Sequence, residues 1–120
     1  MAIKGVFDIN QEERWTILSK NLKNVVKGIK ELSEEYQLEV VIMGTAVNGV
    51  RKDFKEAEGL VTLDELKELV EDGVVFVVCN NTMKKFDLKK EDLYNFIKIV
   101  PAGVIELMLK QQEGYSYIKP

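Results

Sequence analysis

The sequence predicts an α/β domain: a three-layer α/β/α sandwich around a mainly parallel, five-stranded sheet. Three observations carry this prediction. From Trp15 to Tyr36 apolar residues recur at alternating steps of three and four, the repeat of a helix with one buried face. The run Val74 to Cys79 is apolar throughout, as in a strand covered on both sides. Segments of these two kinds alternate along the chain, which implies right-handed βαβ crossovers.

Taken in order, Ile3 to Ile9 reads as a strand whose apolar body is Val6, Phe7 and Ile9. Asn10 and Glu13 have the spacing of a capping box. The helix after them carries Trp15, Leu18, Leu22, Val25, Ile29, Leu32 and Tyr36 on its stripe, with Trp15 in the core. Leu38 to Met43 is a second strand, broken by Gly44. Thr45 to Leu60, interrupted by Gly49 and Gly59, reads as a loop with a short helix. Thr62 and Glu65 make another capping box, ahead of a stripe of Leu63, Leu66, Leu69 and Val70, and Gly73 is a C-terminal stop. Asn80 to Phe86 reads as a short helix, and Asp87 to Tyr94 as a further turn. Phe96 to Val100 is the fourth strand. Pro101 suits the first turn of the last helix, whose expected buried face is Val104, Ile105, Met108 and Leu109, with Gly114 as its end. Tyr115 to Lys119 closes as a short fifth strand. Strand order is not fixed by these patterns.

Composition prunes the function classes. A chain of 120 residues without repeats or a Pro/Gly/Ser linker reads as one domain over 1–120. Its 46% hydrophobic and 31% charged residues suit a folded domain, not a disordered tail. A net charge of -3 gives no support to a nucleic-acid partner. No apolar run is long enough to cross a bilayer, and the start lacks a signal-peptide pattern. The expectation is a soluble cytoplasmic protein with no membrane partner.

One cysteine and no histidine exclude an intramolecular disulfide and any Ser-His-Asp or Cys-His mechanism within one chain. They also argue against a Cys/His metal site. Neither a dinucleotide fingerprint nor a phosphate loop occurs, so no metal and no cofactor is expected.

Open parallel sheets bind ligands at the carboxyl ends of their strands. Asp8, Asn10, Gly44, Thr45, Cys79, Asn80, Asn81, Thr82, Pro101 and Ala102 fall there. Cys79 is the one strong nucleophile among them. The helix starting near Asn80 directs free N–H groups at its sulfur, which favours thiolate. The opposing reading makes a lone cysteine behind five apolar residues a small hydrophobe of the core. Asp8, Asn10 and Arg14 line a pocket on one reading; on another, Asn10 is simply a cap. Lys84, Lys85, Lys89 and Lys90 form either solvated surface or a seat for an acidic partner.

Three segments also carry a resemblance: VFDIN followed by EERW, VVFVVCNNTMK, and KEDL followed by IVPAGVIELMLKQQEGYSYIKP. Over nearly its whole length the chain resembles the DsrE-like (DsrE/DsrF-like) sulfur-relay family. The resemblance implies a parallel α/β sandwich and a symmetric homo-oligomer, often a trimer or hexamer. It also implies a sulfurtransferase-like carrier that takes up sulfane sulfur as a persulfide on Cys79. Sulfur donor and acceptor proteins would then be its partners. Many relatives carry an Arg-Gly pair soon after the cysteine, where this chain reads NNTMKKFDL. The alternative within the family is a non-catalytic oligomeric subunit with a buried, structural Cys79.

Overall fold

The computed structural model describes residues 2–54 and 59–120. Its sheet has five strands: β1 (Ala2–Ile9), β2 (Glu35–Ile42), β3 (Val75–Cys79), β4 (Lys98–Val100) and β5 (Ser116–Ile118). All pairings are parallel, and the order across the sheet is β4-β3-β2-β1-β5. The helices are α1 (Trp15–Glu31), α2 (Leu63–Glu71), α3 (Asn80–Lys85) and α4 (Gly103–Gln112). The parallel α/β architecture expected from the sequence is therefore observed, and the middle strands are its most apolar.

Alternation along the strands divides the core in two. Phe7, Ile9, Val40, Ile42, Phe76 and Val78 face α1 and α2, where they pack with Trp15, Leu18, Leu22, Leu66 and Leu69. Val6, Val41 and Val77 face the other way and meet Leu107 of α4. The capping box at α2 forms as its spacing predicts: Glu65 N–H donates to Thr62 Oγ1 at 3.1 Å, and Thr62 N–H to Glu65 Oε1 at 3.2 Å.

Several local expectations are corrected. Asn10 and Glu13 form no capping box; a 3-10 turn at Glu12–Arg14 precedes α1, and neither of its flanking residues caps it with a side chain. The Glu12 amide is instead taken by the distant Thr45 Oγ1 at 3.1 Å. The α1 stripe stops short of Tyr36: the helix ends at Glu31, Leu32 is exposed, and Ser33 turns the chain at φ 57 so that Tyr36 enters β2. Gly44–Val50 is a 3-10 segment, while the part of the Thr45 to Leu60 reading at 55–58 lies outside the described residues. The turn expected at Asp87 to Tyr94 is a 3-10 turn at Lys90–Asp92. Pro101 lies ahead of the N-cap Ala102, outside the first turn of α4.

The largest correction concerns α4. Val104, Ile105, Met108 and Leu109 were expected inside, yet they are 60%, 55%, 58% and 48% exposed. The inward residues are Gly103 and Leu107, flanked by half-buried Glu106 and Lys110. The segment is apolar nearly all round, so its repeat alone does not choose a face. Gly103 chooses it: a Cβ there would lie 2.4 Å from Met43 Sδ and 3.3 Å from Cys79 Cβ, so the residue without a side chain takes the close approach to the sheet.

Beneath α4, Glu39 of β2 is buried, and its Oε2 finds no donor among the described residues. Burial pushes its carboxyl up to about 8, helped by a hydrogen bond and charge from Glu106 and by charge from Glu113, against a smaller pull from Lys110. A retained proton lets Glu39 donate to Glu106 rather than oppose it. The folded state thus holds a proton that the unfolded chain releases near pH 4.5. Stability from this group is greatest below that value and falls as pH rises through about 8. Glu39→Gln should leave the melting temperature little changed at acid pH and raise it by roughly 4–8 °C at alkaline pH. Thermal melts of both proteins across this range check the difference; a gain that is independent of pH would refute the titration.

Candidate functional site

Strand β3 delivers Cys79 to the carboxyl edge of the sheet, with its side chain on the α4 side. This follows from the two-residue step from Val77, which packs with Leu107. Two chain reversals then meet over the sulfur. Helix α3 starts at the next residue, and its early amides at Asn81 and Thr82 donate to Cys79; so does the amide of Gly103 at the start of α4. The Thr82 hydroxyl is a further donor to the sulfur. That hydroxyl also accepts the Gly44 N–H at 3.1 Å. Thr82 therefore ties the end of β2 to α3 beside Cys79.

Burial alone would push the Cys79 thiol up. The amides of Gly103, Thr82 and Asn81, with the Thr82 hydroxyl, outweigh burial and leave the thiol below its ordinary value. These donors stabilise charge on sulfur because they are fixed by the backbone and already aimed at it. They favour the thiolate, the form that attacks another sulfur. The same packing leaves Cys79 only 5% exposed.

The expected strand-end residues divide. Gly44, Asn81 and Thr82 join Cys79. Asn80 is the first residue of α3 and partly buried. Thr45 caps the Glu12 amide, a structural task. Pro101 is exposed beside Ala102. Asp8 and Asn10 lie instead in a cleft of about 400 Å³ with Ile9, Gln11, Arg14, Lys119 and Pro120. Sequence reasoning missed Gly103 and Met43. The signal for Gly103 was its place between a strand end and a helix, where a glycine marks close backbone approach.

A larger groove of about 580 Å³ lies between α1 and α2, on the other face of the sheet. It is bordered by the Lys23–Glu65 and Lys30–Asp72 ion pairs, and Cys79 is not among its lining residues. No group of three or more metal-ligating side chains occurs among the described residues. No helix among them is long and apolar enough to cross a membrane.

The DsrE/DsrF-like family matches residues 4–120. The chain belongs to that family. Among solved structures it is similar to a protein of unknown function from Methanobacterium thermoautotrophicum, with 28% identity, a TM-score of 0.79, and coverage of 99% of this chain and 98% of that one. A conserved protein of unknown function from Bacteroides thetaiotaomicron shares the fold at 14% identity and a TM-score of 0.69, over 98% of this chain and 94% of that one. No curated protein is significantly similar to the chain.

The donor geometry of this DsrE/DsrF-like chain makes a measurable claim. The rate of Cys79 alkylation against pH should rise with a midpoint below the ~8.5 of a free cysteine. Thr82→Val keeps the volume but removes the hydroxyl donor, so its midpoint should move up. It also strands the Gly44 N–H, at a cost of about 1–3 kcal/mol in denaturant unfolding. An unchanged midpoint in the variant would show that Thr82 does not act on the sulfur.

Proposed function

We propose that this chain is a small cytoplasmic sulfur carrier in which Cys79 accepts sulfane sulfur as a persulfide and passes it to a partner. The observation that carries the reading is the convergence of the Asn81, Thr82 and Gly103 amides on one cysteine sulfur. The association of the DsrE/DsrF-like family with sulfur relay supports it.

The uptake step balances without an oxidant. The Cys79 thiolate attacks the terminal sulfur of a donor persulfide. A new S–S bond forms on Cys79, the donor's S–S bond breaks, and the donor leaves as a thiolate. The terminal sulfur keeps its proton. The donors over Sγ favour the attacking thiolate, and they favour thiolate again when an acceptor removes the outer sulfur. Donor and acceptor proteins are the partners of such a cycle.

The same proposal includes a homo-oligomer, a trimer or hexamer. Its support is the exposed stripe Val104, Ile105, Met108 and Leu109 on α4. Contiguous apolar surface of this kind marks an interaction face.

A second reading rests on the 5% exposure of Cys79: an oligomeric interaction subunit whose cysteine is structural. Persulfide loading separates the two. After treatment with polysulfide, native protein should gain the mass of a sulfur atom and Cys79→Ser should not. Equal gain in both proteins sinks the carrier reading. A thiol that reacts only after unfolding favours the structural subunit. Light scattering checks the assembly: the native protein should scatter as a multiple of the subunit, and Ile105→Asp with Met108→Asp should reduce it to a single subunit. A native protein that is already a single chain at micromolar concentration overturns the oligomer.

A further inference from the structure

The cover over Cys79 has one movable part. The pairing of β2 with β3 ends at Ile42 and Val78, and one more step along both strands puts Met43 beside Cys79 on the α4 side of the sheet. On its other flank Cys79 pairs with Val100 of β4. Gly103 closes over this row with its amide on the sulfur. A Cβ at Gly103 would lie 2.4 Å from Met43 Sδ, 2.6 Å from Met43 Cγ and 3.3 Å from Cys79 Cβ. The Met43 thioether therefore rests on the bare face of Gly103, next to the cysteine. Cys79 is buried, whereas Met43 and Val100 are partly exposed.

These neighbours differ in what they can do. Val100 is β-branched and stiff at χ1. Gly103 is fixed by its hydrogen bond to the sulfur and by the helix it starts. Asn81 and Thr82 are bound through their amides in the same way. Met43 is unbranched and flexible, and its backbone is anchored separately, by its N–H on the Ile9 carbonyl at 3.0 Å. Of this group, it is the residue whose side chain can swing aside while every backbone donor to the sulfur stays in place.

We infer that Met43 is the gate of the Cys79 thiol, and that it admits a narrow, unbranched sulfane-sulfur end, as on an inorganic polysulfide or a persulfide side chain, while excluding bulky groups. Swinging off Gly103, the thioether vacates the space of a sulfur and a methyl group. A persulfide needs room for one further sulfur, so the opening suits that cargo. The polarisable thioether then packs against the outer sulfur. The transfer is the step already written for Cys79, and Met43 takes no bond and no proton in it. The substrate rests on the carrier reading; the gate rests on the packing of Met43 alone.

Alkylation of Cys79 in the folded protein tests the gate, with iodoacetamide as a small reagent and N-phenylmaleimide as a bulky one. Met43→Ala should react about tenfold faster with iodoacetamide. Its gain with the maleimide should be larger still, and its pH midpoint should be unchanged because the amide donors stay. Met43→Leu, a volume-conserving swap, should react no faster than native protein. Low urea concentrations separate a gate from unfolding: the gated rate stays nearly flat, while reaction through unfolding climbs steeply. If Met43→Ala does not fold, the urea dependence of the native protein decides. The gate is overturned by an unchanged rate in Met43→Ala, by Met43→Leu reacting as fast as Met43→Ala, by a steep urea dependence, or by a midpoint that moves to that of a free cysteine. Polysulfide loading of native protein is read separately. Loading without the alkylation pattern keeps the carrier and removes the gate; the pattern without loading keeps the gate and removes its sulfur substrate.

Discussion

The structure depends on the way Trp15 holds the loop after β2. Its ring is fully buried, and Nε1 donates to the Ala46 carbonyl at 2.7 Å. Gly49 lies so close that a Cβ would sit 2.2 Å from the indole nitrogen. The indole therefore acts as a template on which Gly44–Val50 is wound. At the start of that segment, Gly44 has φ +56, and a Cβ on it would be 2.7 Å from the Asn10 carbonyl. A glycine is needed there on both counts. With the loop held this way, the Gly44 N–H points at Thr82, and Thr82 at Cys79. A core aromatic contact thus ends as the orientation of a donor over sulfur.

The site balances two opposed effects. Burial disfavours a thiolate, and the fixed donors favour it. The donors win because none needs to reorganise: three are backbone amides whose positions follow from helix starts, and the fourth is a hydroxyl already engaged by Gly44. The close packing that brings the Gly103 amide to the sulfur also covers it. Reactivity and access are linked through α4, the same helix that turns its apolar stripe outward.

Much of the fold was legible because it is written in neighbouring positions. The α1 stripe, the apolar β3 run and the Thr62–Glu65 box each need only a few consecutive residues to be recognised. The misread elements were those where a distant partner overrode a local rule. Thr45 took the amide that Asn10 was expected to satisfy. Leu32 and Tyr36 continue the helical spacing, yet Ser33 at φ 57 ends the helix between them. In α4, apolar residues occur at too many positions for periodicity to select a face.

By itself, the sequence determined a parallel α/β domain, the absence of histidine and of an intramolecular disulfide, and a single cysteine at the end of a buried strand. Those are properties of composition and short-range pattern. The tertiary structure alone decided that Gly103, twenty-four positions beyond Cys79, would donate to its sulfur. It also decided that Asp8 and Tyr117 would pair across β1 and β5, and that α4 would face outward with its apolar stripe. Each depends on which crossovers place which strands side by side. That choice is made by the packing of the whole core, and no local stretch of sequence contains it.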